Sequence, residues 1–224
     1  MWDWASFLHY IHSPYLLTGA AISLGLSVGA MLIGLIFGVI AAMMRMSERR
    51  WLRLPASGYV WLFRGTPVLV QLIIIYTGLP QLGIQLGVVA SALIGLGLNE
   101  GAYLAEIIRG GLQAIPKGQY EAADALGLSF TRKMRLVILP QAITTVIPPL
   151  VNTFIGTFKD TSLVIIIGLM DLLGTANNSL NDAKWRGFYW EAYIFVGAIY
   201  WCFCFFMSKY SQHLERDLNK ARRR

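Results

Sequence analysis

The sequence predicts an all-α integral membrane protein with five transmembrane helices. The first observation behind this is scarce charge. Of 224 residues, 56% are hydrophobic and 14% charged, against about 25% charged in ordinary soluble domains. Mean hydropathy is +0.55. Residues 14–44, 65–99 and 136–158 carry no Lys, Arg, Asp or Glu, and each run exceeds the ~18 apolar residues that mark a membrane span. The second observation is that the basic residues flank these runs and alternate in density from one loop to the next. A single membrane domain over residues 1–224 accounts for the length. No internal repeat or low-complexity segment suggests another unit.

Span one is expected at about 15–44, longer than a bilayer needs, so it tilts or protrudes. The uncharged run 65–99 must hold most of two helices. Its break is expected from Gly78-Leu79-Pro80 to Gly83, which gives span two at about 56–79 and span three at about 85–108. Span four is expected at about 136–158, kinked or broken at Pro148-Pro149 because proline removes a backbone donor. Residues 161–170 make an apolar piece about half a bilayer long, a re-entrant or half-helix. Span five is expected at about 188–208.

Orientation follows from counting Lys and Arg. Fifteen lie in 45–53, 109–135 and 209–224. Three, Lys159, Lys184 and Arg186, lie in the alternate segments, and Arg64 lies within span two. By the positive-inside rule the N-terminus is outside, the C-terminus is cytoplasmic, and loop 109–135 is cytoplasmic. Trp2, Trp4, Trp51, Trp185, Tyr189 and Trp190 fall near span ends, as interfacial anchors do. The net charge of +7 does not imply nucleic acid, because the basic residues flank spans and form no single face. No signal peptide is expected: Asp3 and no Lys or Arg precede the first apolar run.

No enzyme constellation is present. His9, His12 and His213 lie near the termini, and Cys202 and Cys204 sit in an apolar run where packing is the expected role. Neither set suggests a metal. There is no Gly-rich phosphate loop, so no nucleotide site or cofactor is expected in the chain. Charges inside spans are functional candidates because burying them is costly. They are Arg64, Glu100, Glu106, Lys159 and Asp160. Glu106 and Arg109 can pair across three residues of one helix, and Arg64 can snorkel to the cytoplasmic end of its span. Asp160 has two compatible readings. It can cap the half-helix that begins near Thr161, or it can meet an ammonium group while helix-start N–H groups meet a carboxylate. An amino acid presents both groups.

The loop 109–135 is the most informative stretch. Glu121-Ala122-Ala123 leads to Gly127 and then to Val137-Ile138-Leu139-Pro140. Small residues at 122, 123 and 125 leave a helix surface open to close approach, and Gly127 ends the short helix. This pattern resembles the EAA loop of ATP-binding-cassette (ABC) import permeases. Further marks are Phe63-Arg64-Gly65-Thr66-Pro67 with Gln71, residues 102–111, Ile115-Pro116-Lys117-Gly118-Gln119, and Lys159-Asp160-Thr161-Ser162-Leu163. Together they resemble the polar amino acid permeases of the histidine, glutamine, glutamate and general amino acid importers, over nearly the whole chain.

The resemblance implies a type I ABC importer permease fold with a cytoplasmic EAA coupling helix in the inner membrane. It implies a second permease subunit, ATPase subunits that hold ATP and Mg, a periplasmic amino-acid-binding protein and an amino acid substrate. Glu121, Ala122, Ala123, Leu126, Gly127 and Arg132 are the expected ATPase-coupling residues. Asp160, Thr161, Ser162, Asn152 and Arg64 are the expected substrate-binding set. The alternative is a secondary transporter or channel that needs no ATPase, against which no inverted repeat is found.

Overall fold

The computed structural model describes residues 14–182, 185, 187 and 189–222, and every regular element among them is helical. His9, His12, Trp2, Trp4, Lys184, Arg186 and Phe188 lie outside the described residues. Four helical segments are long and apolar enough to cross a membrane: Tyr15–Met46, Val88–Gln113, Phe130–Ile167 and Tyr189–Leu218. A fifth span is formed if the bent pair Arg50–Gly65 and Val68–Leu82 is counted as one.

Helix α1 (Pro14–Met46) lies along α4 (Val88–Gln113). Glycines set the approach. A Cβ on Gly34 would sit 2.8 Å from the Glu100 Cβ, and one on Gly97 would sit 2.6 Å from Ile33 Cγ2. Lipid tails are as apolar as leucine, so membrane helices gain little from burial alone and associate through close contact of small residues.

Helix α2 (Arg50–Gly65) and α3 (Val68–Ile73) meet at 108°. Thr66 is extended there, with φ −123° and ψ 148°, as the residue before Pro67 must be. Run 65–99 therefore contains this bend as well as the expected break, where a short 3₁₀ turn over Leu79–Leu82 ends at Gly83 with φ +83°. The bend would leave carbonyls at the end of α2 unpaired. Gln71 returns from α3 and donates to Phe63 O (2.9 Å) and Thr66 O (3.1 Å), and Asn99 of α4 donates to Phe63 O and Gln71 Oε1, both at 3.0 Å.

Beyond α4, α5 (Lys117–Ala125) and α6 (Phe130–Lys133) form an arm whose Ile115 and Tyr120 pack on Leu112, Ile138 and Ala142. Helix α7 (Leu139–Asp160) runs through Pro148 and Pro149 without a break, so of the expected kink or break the break is absent. The prolines cost the Thr144 and Thr145 carbonyls their helical donors without ending the helix, and Ser211 Oγ of the last helix donates to Pro148 O at 3.4 Å. A 3₁₀ turn over Thr161–Ile167, α8 (Leu172–Ser179) and α9 (Tyr189–Arg222) complete the chain. Cys202, Cys204 and His213 lie on α9, where His213 meets Asp217.

Asp171 ties three of these elements together. It is fully buried and caps α8, accepting from Gly174 N–H (2.8 Å), Tyr200 Oη of α9 (3.0 Å) and Ser23 Oγ of α1 (3.2 Å). Asp171→Ala strands these donors, at about 1–3 kcal/mol for each one left buried and unpaired. The expected result is a large fall in the melting temperature of the purified protein in detergent, with Asp171→Asn falling less. Equal stability of Asp171→Ala and wild type would remove the network from the account.

Candidate functional site

The bend and two helices line a polar cavity of about 440 Å³. The bend contributes Thr66, Pro67 and Val68, α4 contributes Asn99, Glu100 and Tyr103, and one face of α7 contributes Asn152, Thr153, Gly156, Thr157 and Asp160. Glu100 stands midway along α4, is 5% exposed, and its Oε1 has no hydrogen-bond partner among the described residues. Two carboxylates therefore line one cavity from opposite helices. Without a cation or water beside them such groups are costly in a membrane interior.

The expected substrate residues divide. Asp160 and Asn152 line this cavity. Thr161 is fully buried and donates to Phe158 O at 2.8 Å, while Ser162 donates to Lys159 O at 2.7 Å; neither lines it. Asp160 does not cap a helix start either. Its backbone is helical (φ −68°, ψ −16°), no side-chain cap bond forms, and the Thr161 N–H is taken by α7 carbonyls. The chain passes from α-helix into 3₁₀ turn without leaving the helical basin, whereas a cap needs an extended residue and free N–H groups.

Arg64 lines an adjacent basin of about 580 Å³ with Arg45, Tyr103 and Glu106. Its guanidinium carbon lies 5.2 Å from the centre of the Tyr103 ring, so Tyr103 borders both cavities. Three arginines converge on Glu106: Arg45 by direct contact, Arg109 at 2.6 Å and Arg64 at 3.6 Å. The expected Glu106–Arg109 pair is one edge of this larger cluster joining α1, α2 and α4.

On the arm, Gly127 has φ +70° and its N–H bonds Asp124 O (2.9 Å), while Leu128 N–H bonds Ala123 O (3.1 Å). This pair of bonds is a Schellman cap, which favours glycine. Ala123 is buried beneath α5, while Glu121, Ala122, Leu126 and Gly127 face outward. Leu126 and Phe130 are 79% and 73% exposed. Arg132 is exposed beside Lys133, which pairs with Asp124 at 2.5 Å.

Comparison with known proteins identifies the framework. Residues 34–220 match the family described as binding-protein-dependent transport system inner membrane component. The chain belongs to this family. It is 46% identical over 189 residues to the inner membrane amino-acid ABC transporter permease protein YhdY of Escherichia coli (strain K12), covering 83% of this chain and 52% of that protein. It is 39% identical over 206 residues to the arginine transport system permease protein ArtQ of Bacillus subtilis (strain 168), covering 92% and 93%. The chain spans about half the length of YhdY and of BztC of Rhodobacter capsulatus. Among solved structures, a chain in the crystal structure of an amino acid ABC transporter with histidines superposes with a TM-score of 0.88 at 39% identity, covering 97% of this chain and 99% of that one. The MetNI methionine ABC transporter, at 18% identity and a TM-score of 0.73, shares the fold. This family member is thus a multi-pass helical component of the inner membrane with the ABC importer permease fold.

Two features of the cavity were not assembled from sequence. Glu100 was visible as an intramembrane acid, but nothing local paired it with Asp160, sixty positions away. Thr66 and Pro67 were visible as a motif, but their place in the cavity depends on the bend.

Proposed function

We propose that this chain is the membrane-spanning subunit of an importer that passes polar L-amino acids inward, with its N-terminus outside and its C-terminus in the cytoplasm. The observation that carries this reading is the cavity with Glu100 and Asp160 on opposing helices, in a member of a binding-protein-dependent family. A substrate ammonium answers one or both carboxylates, and Asn99, Asn152 and Thr153 offer neutral hydrogen-bonding groups to the rest of a polar solute. A second permease subunit completes the pathway, a periplasmic amino-acid-binding protein delivers substrate, and partner ATPase subunits bind ATP and Mg.

Reconstitution tests the reading. The chain, copurified with its ATPase in mild detergent and placed in liposomes, is expected to take up amino acids only with binding protein outside and ATP at the ATPase face. Uptake by the chain alone without nucleotide would reject it in favour of an ATPase-independent carrier.

The outward face of the α5–α6 arm is the proposed ATPase dock, with Glu121, Ala122, Leu126, Gly127 and Arg132 at its surface. Gly127→Val strains a left-handed backbone position by about 1–2 kcal/mol and adds bulk where the partner would approach. ATP-driven uptake is expected to fall at least tenfold while the amount of chain inserted in the membrane is unchanged. Normal uptake with normal ATPase stimulation would move the dock elsewhere.

A further inference from the structure

A groove of about 640 Å³ runs along α1 and α7, and it shares no lining residue with the polar cavity. Leu35, Val39 and Met43 of α1 form one wall, and Leu139, Ile143 and Leu150 belong to the other. Its lining is apolar except at one end, where Thr131 and Arg135 stand beside the α5–α6 arm. Arg135 is exposed and makes no ion pair among the described residues.

We propose that this groove seats one anionic phospholipid of the leaflet on the arm side, its phosphate on Arg135 and one acyl chain along α1 and α7. Length and charge support this occupant. From Arg135 to Leu150 the helix advances roughly 20 Å at ~1.5 Å per residue, somewhat more than the ~15 Å hydrocarbon depth of one leaflet. A single uncompensated cation at the mouth of an apolar slot complements a phosphate above an acyl chain. A helix from a second copy is a poorer match, because it would bring a backbone cylinder about 10 Å wide to a slot whose volume suits one chain. Anionic lipid attracts basic groups near the membrane surface, and Arg135 sits where that attraction becomes a specific contact.

The test uses the full chain in nanodiscs of phosphatidylcholine doped with phosphatidylglycerol bearing a photoreactive group in one acyl chain. Labelling is expected on α1 and α7 peptides around Val39 and Ile143, competed by unlabelled phosphatidylglycerol about fivefold better than by phosphatidylcholine. Arg135→Gln is expected to erase that preference while leaving the fold intact. Ile143→Trp, which fills the slot, is expected to abolish labelling at Val39 while labelling on α9 persists. Labelling without headgroup preference in wild type would overturn the proposal. So would a disulfide between copies formed in high yield through Ile143→Cys, which would show the groove to be a copy–copy interface.

Discussion

Asp160→Asn is expected to weaken amino acid binding to the permease–ATPase complex by roughly 10- to 100-fold. A charge-assisted hydrogen bond contributes about 1.5–3 kcal/mol, and each ~1.4 kcal/mol is a decade in affinity. The substitution is clean because the Asp160 side chain makes no cap bond, so removing its charge leaves the backbone at Thr161 undisturbed. Glu100→Gln is the companion variant: its Oε1 is buried without a partner, and an uncharged amide there should also lose affinity. The measurement is equilibrium binding of radiolabelled amino acid to the detergent-solubilised complex, because a binding protein can mask weak sites in cellular uptake. Wild-type affinity in both variants would place the substrate outside this cavity.

Gly38→Val is expected to prevent stable assembly of the bundle. A Cβ at Gly38 would lie 2.7 Å from the Leu104 Cβ and 3.2 Å from the Gly101 carbonyl and the Ala105 nitrogen. Backbone atoms cannot rotate away as a side-chain tip can, so α1 must move off α4. Overpacking of this kind costs about 1–3 kcal/mol, and the displacement also separates the close small-residue contacts along both helices. Gly25→Val is the control on the same helix, because nothing lies within 4 Å of its added Cβ. Thermal unfolding in detergent should show a large loss for Gly38→Val and little for Gly25→Val. Equal melting temperatures would mean that the α1–α4 contact is slack.

What could be read in the sequence follows the range of the forces involved. The apolar spans and the Gly127 turn are local: a bilayer demands an uncharged helix, and a left-handed residue favours glycine. The Glu106–Arg109 contact is local too, three residues apart on one helix. Arg45 and Arg64 reach Glu106 across other helices, and no spacing rule encodes that. The 108° bend escaped because hydropathy is blind to direction; the run 65–99 is uncharged whether or not the chain turns. The extended bias of a residue before proline was the available signal, and it was outweighed by the stronger punctuation at Gly78 to Gly83. Pro148 and Pro149 misled in the opposite way. They suggested a kink or break within span four, whereas the helix carries through; the cap role expected for Asp160 rested on a half-helix starting near Thr161, where the backbone instead stays helical.

The bend and the polar cavity share Thr66, Pro67 and Asn99. Gln71 and Asn99 clasp the bend, and Asn99 adjoins Glu100 on the cavity wall. A solute that tightens this clasp must, by reciprocity, be held more tightly by a chain whose clasp is already closed, and by the same factor. For such a solute, whatever fixes the angle between α2 and α3 elsewhere on α2, the Arg64–Glu106 contact included, would shift the affinity of the cavity without touching its contents.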